Sequence, residues 1–475
     1  MEKYRVAESK WVESDGRDYL FLVADKAVFE VEPETKSLLA RWALRPAFTR
    51  GEVLAPLQDL SREEGEELFS DLLQRRAILP ANGAGGPTVQ VPAAPMDIPL
   101  KTLVLHVAES CNLRCRYCYH GEKGNGKGLQ RKMGRDVALR AVDFLFERSG
   151  ELEDLVLVFF GGEPLLNFET IRHAAGYAQE KAAASGKRLS FAITTNGTLL
   201  TPEIVDFLQA HDVSVTVSLD GFEQIHDRYR RFADGRPSYG VILPRVRQLL
   251  EGARKRPVVA RVTVVDEPDR VPQILEHLLG LGFVEAGFAP VTTGHPEYQL
   301  NDRQMDELLS AFRHLAQRFL EAVEEERFFG FSNVIDLLVS LHQGQVMNYP
   351  CGAGLGLFSV DAGGRLFLCQ RFTGEESYCM GDIFEGFDEE RLGKFRQEAE
   401  ISNKEACRTC WARTICTGGC YHEACVREGS HLNPNLHYCE WIRRWGEIGL
   451  DVYCRVAARW PDFLEMLCMS RGHAA

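Results

Sequence analysis

No apolar run in the 475-residue chain reaches the roughly 20 residues that cross a bilayer. The opening residues, MEKYRVAESKWVESDGRDYL, lack the apolar core of a secretory signal. Positive charge is in deficit: 55 Lys and Arg stand against 68 Asp and Glu, for a net charge of −13. That balance argues against a surface tracking phosphates or anionic lipid, so neither nucleic acid nor membrane is expected as a partner. A cytoplasmic protein is the expectation. Hydrophobic residues at 45% and charged residues at 26% exclude a disordered or fibrous chain. The length allows roughly two to four domains. Cysteine is absent from the first 110 residues.

What is present is cysteine in clusters. Of 14, three fall at Cys111, Cys115 and Cys118, and the other eleven lie between Cys351 and Cys468. Disulfide frameworks belong to small secreted domains, and this chain is neither small nor marked for secretion. In a reducing compartment, thiols at short spacings read as metal or iron–sulfur ligands. Cys111-x3-Cys115-x2-Cys118 puts three thiolates on one loop. A four-iron cluster has four corners, so three thiolates leave one iron open to a small-molecule ligand. The alternative is a zinc site completed by His120. Further on, Cys351, Cys369, Cys407, Cys410, Cys416, Cys420 and Cys439 make an ordered set, for which a zinc ribbon or knuckle is the alternative. Cys425, Cys454 and Cys468 read as buried structural thiols.

Residues 18–32 suggest short antiparallel strands. From Pro33 to Leu79 the spacing of Leu68, Leu72, Leu73 and Ile78 suggests helix. Together they make a small α+β unit over residues 1–80. Residues 81–100, with NGAGGPTVQVPAAPMDIP, read as an extended linker. Over residues 101–345, six apolar stretches (TLVLHV, LVLVFF, LSFAITT, VSVTVSL, VVARVTVV and VEAGFAPV) alternate with amphipathic segments. That pattern predicts a parallel α/β sheet curled into a partial barrel, with its chemistry at the carboxyl ends of the strands. The cysteine trio, Gly161-Gly162-Glu163-Pro164, Thr195-Asn196-Gly197 and Ser218 with Asp220-Gly221 fall there. Residues 346–445 are rich in cysteine and turns, and residues 446–475 suggest a carboxy-terminal helix.

CNLRCRYC followed by FFGGEP, TTNG and SLDG, over residues 101 to about 290, resembles the radical S-adenosylmethionine superfamily. The resemblance implies a partial (β/α)6 barrel of TIM-like type. It also implies S-adenosylmethionine chelated to the open iron through its amino and carboxylate groups, and one-electron cleavage to a 5′-deoxyadenosyl radical driven by a reducing electron donor. Gly161 and Gly162 would let backbone approach the ligand. Glu163 would accept from the ammonium group, or else cap a helix. Asn196, Ser218 and Asp220 would hold the ribose hydroxyls and the carboxylate, or else serve as turn formers. Tyr117 would lie beside the adenine, or else be buried near the cluster.

The later cysteines resemble the auxiliary-cluster domain of peptide-modifying radical enzymes, the SPASM domain. By that resemblance Cys407, Cys410, Cys416 and Cys439 close one cluster, and Cys351, Cys369 and Cys420 hold three corners of another. The fourth corner is Cys379 or a substrate thiolate. Three [4Fe-4S] clusters are implied in all. The amino-terminal unit resembles the winged-helix-like domain that binds leader peptides, with a small packing domain as the alternative. YPCGAGLGLFSV…LFLCQRF, CRTCWARTICTGGCYHE and YCEWIRRW resemble the maturases of quinohemoprotein amine dehydrogenase and, less closely, those of six-cysteine peptides. This implies a cysteine-rich peptide or small protein substrate with a leader segment, and thioether bonds from Cys sulfur to Asp or Glu methylene carbons in the dehydrogenase small subunit. Thioether formation needs a thiolate, made by metal coordination or by a base. Asp227 in IHDRYRR is the candidate base, although an Asp flanked by residues such as Arg228 and Arg230 is more often a surface ion pair; His422 and Glu423 are further, weaker candidates. Side-chain oxidation and carbon–carbon coupling are the alternative reactions. A zinc-stapled peptide-binding adaptor is the non-enzymatic alternative.

Overall fold

The computed structural model describes residues 2–54, 61–81, 98–122, 131–252 and 254–472; residues 82–97, most of the expected linker, lie outside them. The amino-terminal unit holds two small antiparallel sheets. Strand β1 (Lys3–Val6) is flanked by β5 (Phe48–Thr49) and β6 (Ile78–Pro80), while β2 (Ser9–Ser14), β3 (Arg17–Leu22) and β4 (Ala27–Glu30) form a meander. Helix Arg62–Gln74 starts at a capping box in which Ser61 accepts from the Glu64 amide and Glu64 reaches back to the Ser61 amide. Leu39, Trp42, Phe69 and Leu72 from the helices bury against Tyr4, Leu20, Leu22 and Phe48. The helical reading of Pro33 to Leu79 fails at its end. Arg76 takes a φ of 61° and turns the chain, and Ile78 then pairs with Val6 as a strand residue. The unit therefore has six strands among its described residues.

The meander's second face joins the rest of the molecule. Val12, Tyr19 and Phe21 belong to the main core, and Phe21 meets Trp411 edge-on at 6.3 Å. Arg413 donates two 2.6 Å bonds to the Glu8 carboxylate from the cysteine-rich region.

Alternating burial sets the central sheet. Strands β7 (Thr102–Ala108), β8 (Asp154–Gly161), β9 (Arg188–Thr195), β10 (Ser214–Ser218), β11 (Val258–Val264) and β12 (Glu285–Pro290) lie parallel in sequence order. These are the six apolar stretches expected from the sequence. On β8, Leu155, Leu157 and Phe159 are buried, while Val156, Val158 and Phe160 take the other face. On β11, Val258, Ala260 and Val262 are buried, which puts Arg261 and Thr263 on the opposite face.

The sheet does not stop where the barrel was expected to end. Strand β13 (Leu357–Val360) adds parallel to β7, and β14 (Arg365–Phe367), β15 (Cys379–Asp382) and β16 (Gly386–Phe387) continue antiparallel from it. The first part of the cysteine-rich region, as far as Phe387, thus extends the same ten-stranded sheet, and helices follow it. The expected single helix over 446–475 is two: Leu436–Arg459, which carries Cys439, and Pro461–Gly472, with Pro461 at the break. Helix Asp302–Glu324 packs on the first of these, with Phe312 against Trp441 at 5.3 Å and Trp445 at 5.1 Å. No described helix is long and apolar enough to cross a membrane.

Candidate functional site

The carboxyl ends of β7 to β12 surround one cleft, and Cys111, Cys115 and Cys118 all line it. Their loop is held by the segment after the β10 turn. Arg114 donates its amide to the Arg231 carbonyl at 2.7 Å, and Arg116 donates to the Tyr229 carbonyl at 3.0 Å. Asn196, also in the cleft, donates to the Cys111 sulfur at 3.6 Å and to Asn112 Oδ1 at 3.0 Å. Burial pushes the Cys111 thiol up to about 11 and the Cys115 thiol up to about 12. Thiolates so enclosed need a cation to offset desolvation, and a soft metal centre deprotonates a coordinating thiol outright. Zinc would draw its ligands to within about 2.0–2.3 Å of one point. Among the described residues no three Cys, His, Asp or Glu side chains converge in that way. An iron–sulfur cluster, in which each thiolate holds a different iron, suits a wider spacing. Three thiols on one loop at the cleft could hold such a cluster.

Gly161 and Gly162 also line the cleft, and the reason for glycine is backbone approach. A Cβ at Gly161, where φ is 139°, would sit 2.1 Å from the Ala108 carbonyl oxygen. One at Gly162 would sit 2.4 Å from the Ser110 oxygen. The Gly162 and Glu163 amides donate to those two carbonyls at 2.8 and 3.0 Å, which clamps the end of β8 to the start of the cysteine loop.

Glu163 is fully buried and does not line the cleft. Its Oε1 accepts from Thr195 Oγ1 at 2.8 Å and from the Leu165 amide at 3.1 Å, and its Oε2 accepts from the Asn196 amide at 2.7 Å. The carboxylate is a strut between the ends of β8 and β9. Burial pushes its pKa from 4.5 up to about 7. Folding therefore favours the protonated form. That contribution to stability is complete below about 4.5 and is lost as pH rises through about 7. Wild-type stability is expected to fall by about 3 kcal/mol across this window, and Glu163→Gln should flatten the fall. Urea denaturation of both proteins at a series of pH values measures it.

Tyr117, Asp220 and Arg230 form a second buried brace. The Tyr117 hydroxyl donates to Asp220 Oδ2 and accepts from Arg230 Nη1 at 2.6 Å, and Asp220 Oδ1 accepts from the Thr263 amide at 3.0 Å. Tyr117 and Arg230 line the cleft along with Ser218; Asp220 lies behind them. Asp227 stands elsewhere. Its Oδ1 accepts from the Ser238 and Tyr239 amides at 2.8 and 2.9 Å, so it caps helix Tyr239–Glu251. It is buried and does not line the cleft, while its neighbour Arg228 pairs with Asp266 and Glu267. His422 and Glu423 are also outside the cleft lining. His422 packs on the Tyr119 ring at 5.4 Å, and Glu423 faces Arg427 at 3.4 Å.

The later cysteines gather in two groups. Charge on Cys439, Cys407 or Cys410 raises the Cys416 thiol, which burial already pushes up to about 12. Cys369, pushed up to about 11 by burial, feels Cys420 and Cys351. The buried Lys404 lies between the groups, donating to the Gly418 carbonyl at 3.0 Å with its ammonium 5.1 Å from the Tyr421 ring centre. Cys379 is elsewhere, opposite Phe367 in the sheet, its thiol donating to the Gly381 carbonyl at 3.6 Å. The Cys425 sulfur is hydrogen-bonded to the Tyr378 hydroxyl at 2.8 Å. Cys454 is buried and Cys468 partly so.

Sequence reasoning missed three arginines in the cleft: Arg230, Arg261 and Arg371. Arg230 had been noted only as a flank of Asp227. Arg261 had a signal, a lone charge inside the apolar run VVARVTVV. Arg371 had none beyond its place two residues after Cys369.

Residues 105–278 match the model of the Radical SAM superfamily. Two curated relatives, 35% and 34% identical, are spanned by this chain over only 45% and 35% of their own length. The second of these is a serine-type anaerobic sulfatase-maturating enzyme of Bacteroides thetaiotaomicron, matched over 31% of this chain. A cysteine-type anaerobic sulfatase-maturating enzyme of Clostridium novyi is 23% identical over 75% of this chain and 97% of its own. Among solved structures, native anSMEcpe with bound AdoMet and Cp18Cys peptide superposes with a TM-score of 0.65 at 20% identity, covering 76% of this chain and 99% of that one. Residues 105–278 thus match the Radical SAM superfamily model, and the α/β fold that carries them is shared with native anSMEcpe.

Proposed function

We propose that the protein is a radical S-adenosylmethionine maturase of a cysteine-rich peptide or small protein. Its reaction on this reading joins cysteine sulfur to a methylene carbon of Asp or Glu, with the small subunit of a quinohemoprotein amine dehydrogenase as the substrate. The observation that carries the reading is the gathering of ten cysteines into three groups, one at the barrel mouth and two in the cysteine-rich region beyond it.

Cys111, Cys115 and Cys118 would hold a four-iron cluster with one iron open. Cys407, Cys410, Cys416 and Cys439 would hold a second. Cys351, Cys369 and Cys420 would hold three corners of a third, and its fourth position suits a substrate thiolate because Cys379 and Cys425 are engaged elsewhere. Bound beside the trio, S-adenosylmethionine supplies a reductively generated, hydrogen-abstracting radical. The chain's own side chains do the positioning. The Asp220–Tyr117–Arg230 brace fixes an aromatic wall, and Asn196 and Ser218 present polar atoms to the cleft. Glu163 holds two strand ends in place. The outer edge of β4, paired only with β3 among the described residues, offers a place for a leader strand to add.

Per bond formed, the peptide gives up one carbon-bound hydrogen, one thiol proton and one electron, so the product is two hydrogens lighter. The reconstituted protein, with S-adenosylmethionine and dithionite under anaerobic conditions, is expected to release 5′-deoxyadenosine. Mass spectrometry of a co-expressed acid- and cysteine-rich polypeptide should then show the two-hydrogen loss and a thiol closed to alkylation. A second reading, oxidation of a peptide side chain, draws on the likeness to sulfatase-maturating enzymes. It predicts a product whose remaining cysteines still alkylate.

A further inference from the structure

Three arginines line the cleft, and among its described lining residues there is no Asp or Glu. Arg230 is engaged by Tyr117 and lies 3.9 Å from Asp220. The other two have no part in the arrangement described so far.

Arg261 projects from the middle of β11 on the face it shares with Thr263, toward the barrel interior. The space for it comes from β12, where a Cβ at Gly287 would come within 3.4 Å of Arg261 Nη1. Among the described residues it makes no hydrogen bond and no ion pair. The carboxylates that feel its charge are engaged elsewhere: Asp336 pairs with Arg471 at 3.1 Å, and Asp220 belongs to the tyrosine brace. Arg371 enters from the opposite end of the six parallel strands, beyond β14, with its guanidinium 5.5 Å from the Tyr119 ring centre. Burial pushes the Arg261 pKa down, and the nearby Arg371 charge adds to the effect. Arg261 is exposed to the cleft, and among the described lining residues no carboxylate meets the two guanidinium groups, so the cleft presents them to an incoming anion. A carboxylate meets the planar fork of a guanidinium with two parallel hydrogen bonds.

We propose that Arg261 and Arg371 form a carboxylate subsite that grips an Asp or Glu side chain of the substrate peptide, holding its methylene carbon inside the cleft. The proposal rests on the peptide-maturase reading and names how that site selects its acceptor residue.

The test uses the full-length, anaerobically reconstituted protein with S-adenosylmethionine bound. The probes are two fluorescein-labelled synthetic peptides that contain one cysteine and differ only in Asp against Asn. Fluorescence anisotropy should show wild type binding the Asp peptide about tenfold more tightly. Arg261→Gln should erase the preference, and Arg261→Lys should keep part of it. Should Arg261→Gln not fold, Arg371→Gln carries the same expected loss. Equal binding of both peptides by wild type overturns the subsite, as does absence of binding at millimolar peptide. So does a preference that survives in the glutamine variants. An Arg261→Gln protein that loses affinity for S-adenosylmethionine but keeps the Asp preference would assign the residue to the cofactor's carboxylate instead. Binding needs no radical chemistry. A wild type that releases no 5′-deoxyadenosine sinks the maturase reading separately from this ratio.

Discussion

Replacing Cys115 with alanine is expected to reduce 5′-deoxyadenosine formation to the level of a no-enzyme control. Cys115 is the most strongly perturbed of the trio, with burial pushing its thiol up to about 12, so little thiolate exists there without a cation. Its loop holds no fourth cysteine to substitute. The loop backbone is pinned at Arg114 and Arg116, and Asn196 already braces the Cys111 sulfur. Residues that merely orient a metal ligand cost roughly 10–100-fold when removed. Removing the ligand itself should exceed that range. Two measurements separate loss of cluster from loss of fold. Iron and sulfide per chain should fall by one cluster's worth, while the thermal midpoint of the variant stays near wild type. Cys454→Ala is the control: its sulfur sits on helix Leu436–Arg459, away from the three groups, and iron content should not change. Full cleavage of S-adenosylmethionine by Cys115→Ala would overturn the assignment of the trio.

The six parallel strands and the cysteine trio were legible because each is a local pattern. A strand buried on both faces is a short apolar run, and a three-thiol loop is a spacing of a few residues. What escaped depends on partners far along the chain. Asp227 reads as a base or a surface ion pair until the Ser238 and Tyr239 amides, eleven and twelve residues on, are placed against it. Glu163 reads as a ligand-binding carboxylate or a helix cap; it does accept from the Leu165 amide as a cap, and its bonds to Thr195 and Asn196 have no local signal. The join between barrel and cysteine-rich region is longer still, with Leu357 pairing Thr102. Ile78 failed for the opposite reason: its apolar spacing continued a helix that the left-handed Arg76 had already ended. Arg261 was visible as an anomaly, but only the empty side of Gly287 and the distant Arg371 give that anomaly a meaning.

Gly161→Ala is expected to destabilise the protein by more than about 4 kcal/mol, beyond the range most single substitutions occupy. The backbone there has a φ of 139°, which a side chain rarely tolerates, and the new Cβ would lie 2.1 Å from the Ala108 oxygen. The obstruction is backbone, so no rotamer change relieves it. Relief would require parting the ends of β7 and β8, where the Gly162 amide bonds to the same Ala108 oxygen at 2.8 Å. The residues displaced lead directly into Cys111. Gly162→Ala meets a different obstacle, the Ser110 oxygen at 2.4 Å without a positive φ, so its expected effect is a shifted cysteine loop and lost iron more than lost fold. Gly176 calibrates both. It lies inside helix Phe168–Ser185, with nothing within 4 Å of an added Cβ. Gly176→Ala should therefore stabilise by about 0.5–1 kcal/mol. Denaturant midpoints of the three variants, measured beside their iron content, should fall in the order Gly176→Ala, Gly162→Ala, Gly161→Ala. A Gly161→Ala protein with a wild-type midpoint would show that the strand ends are not clamped as described.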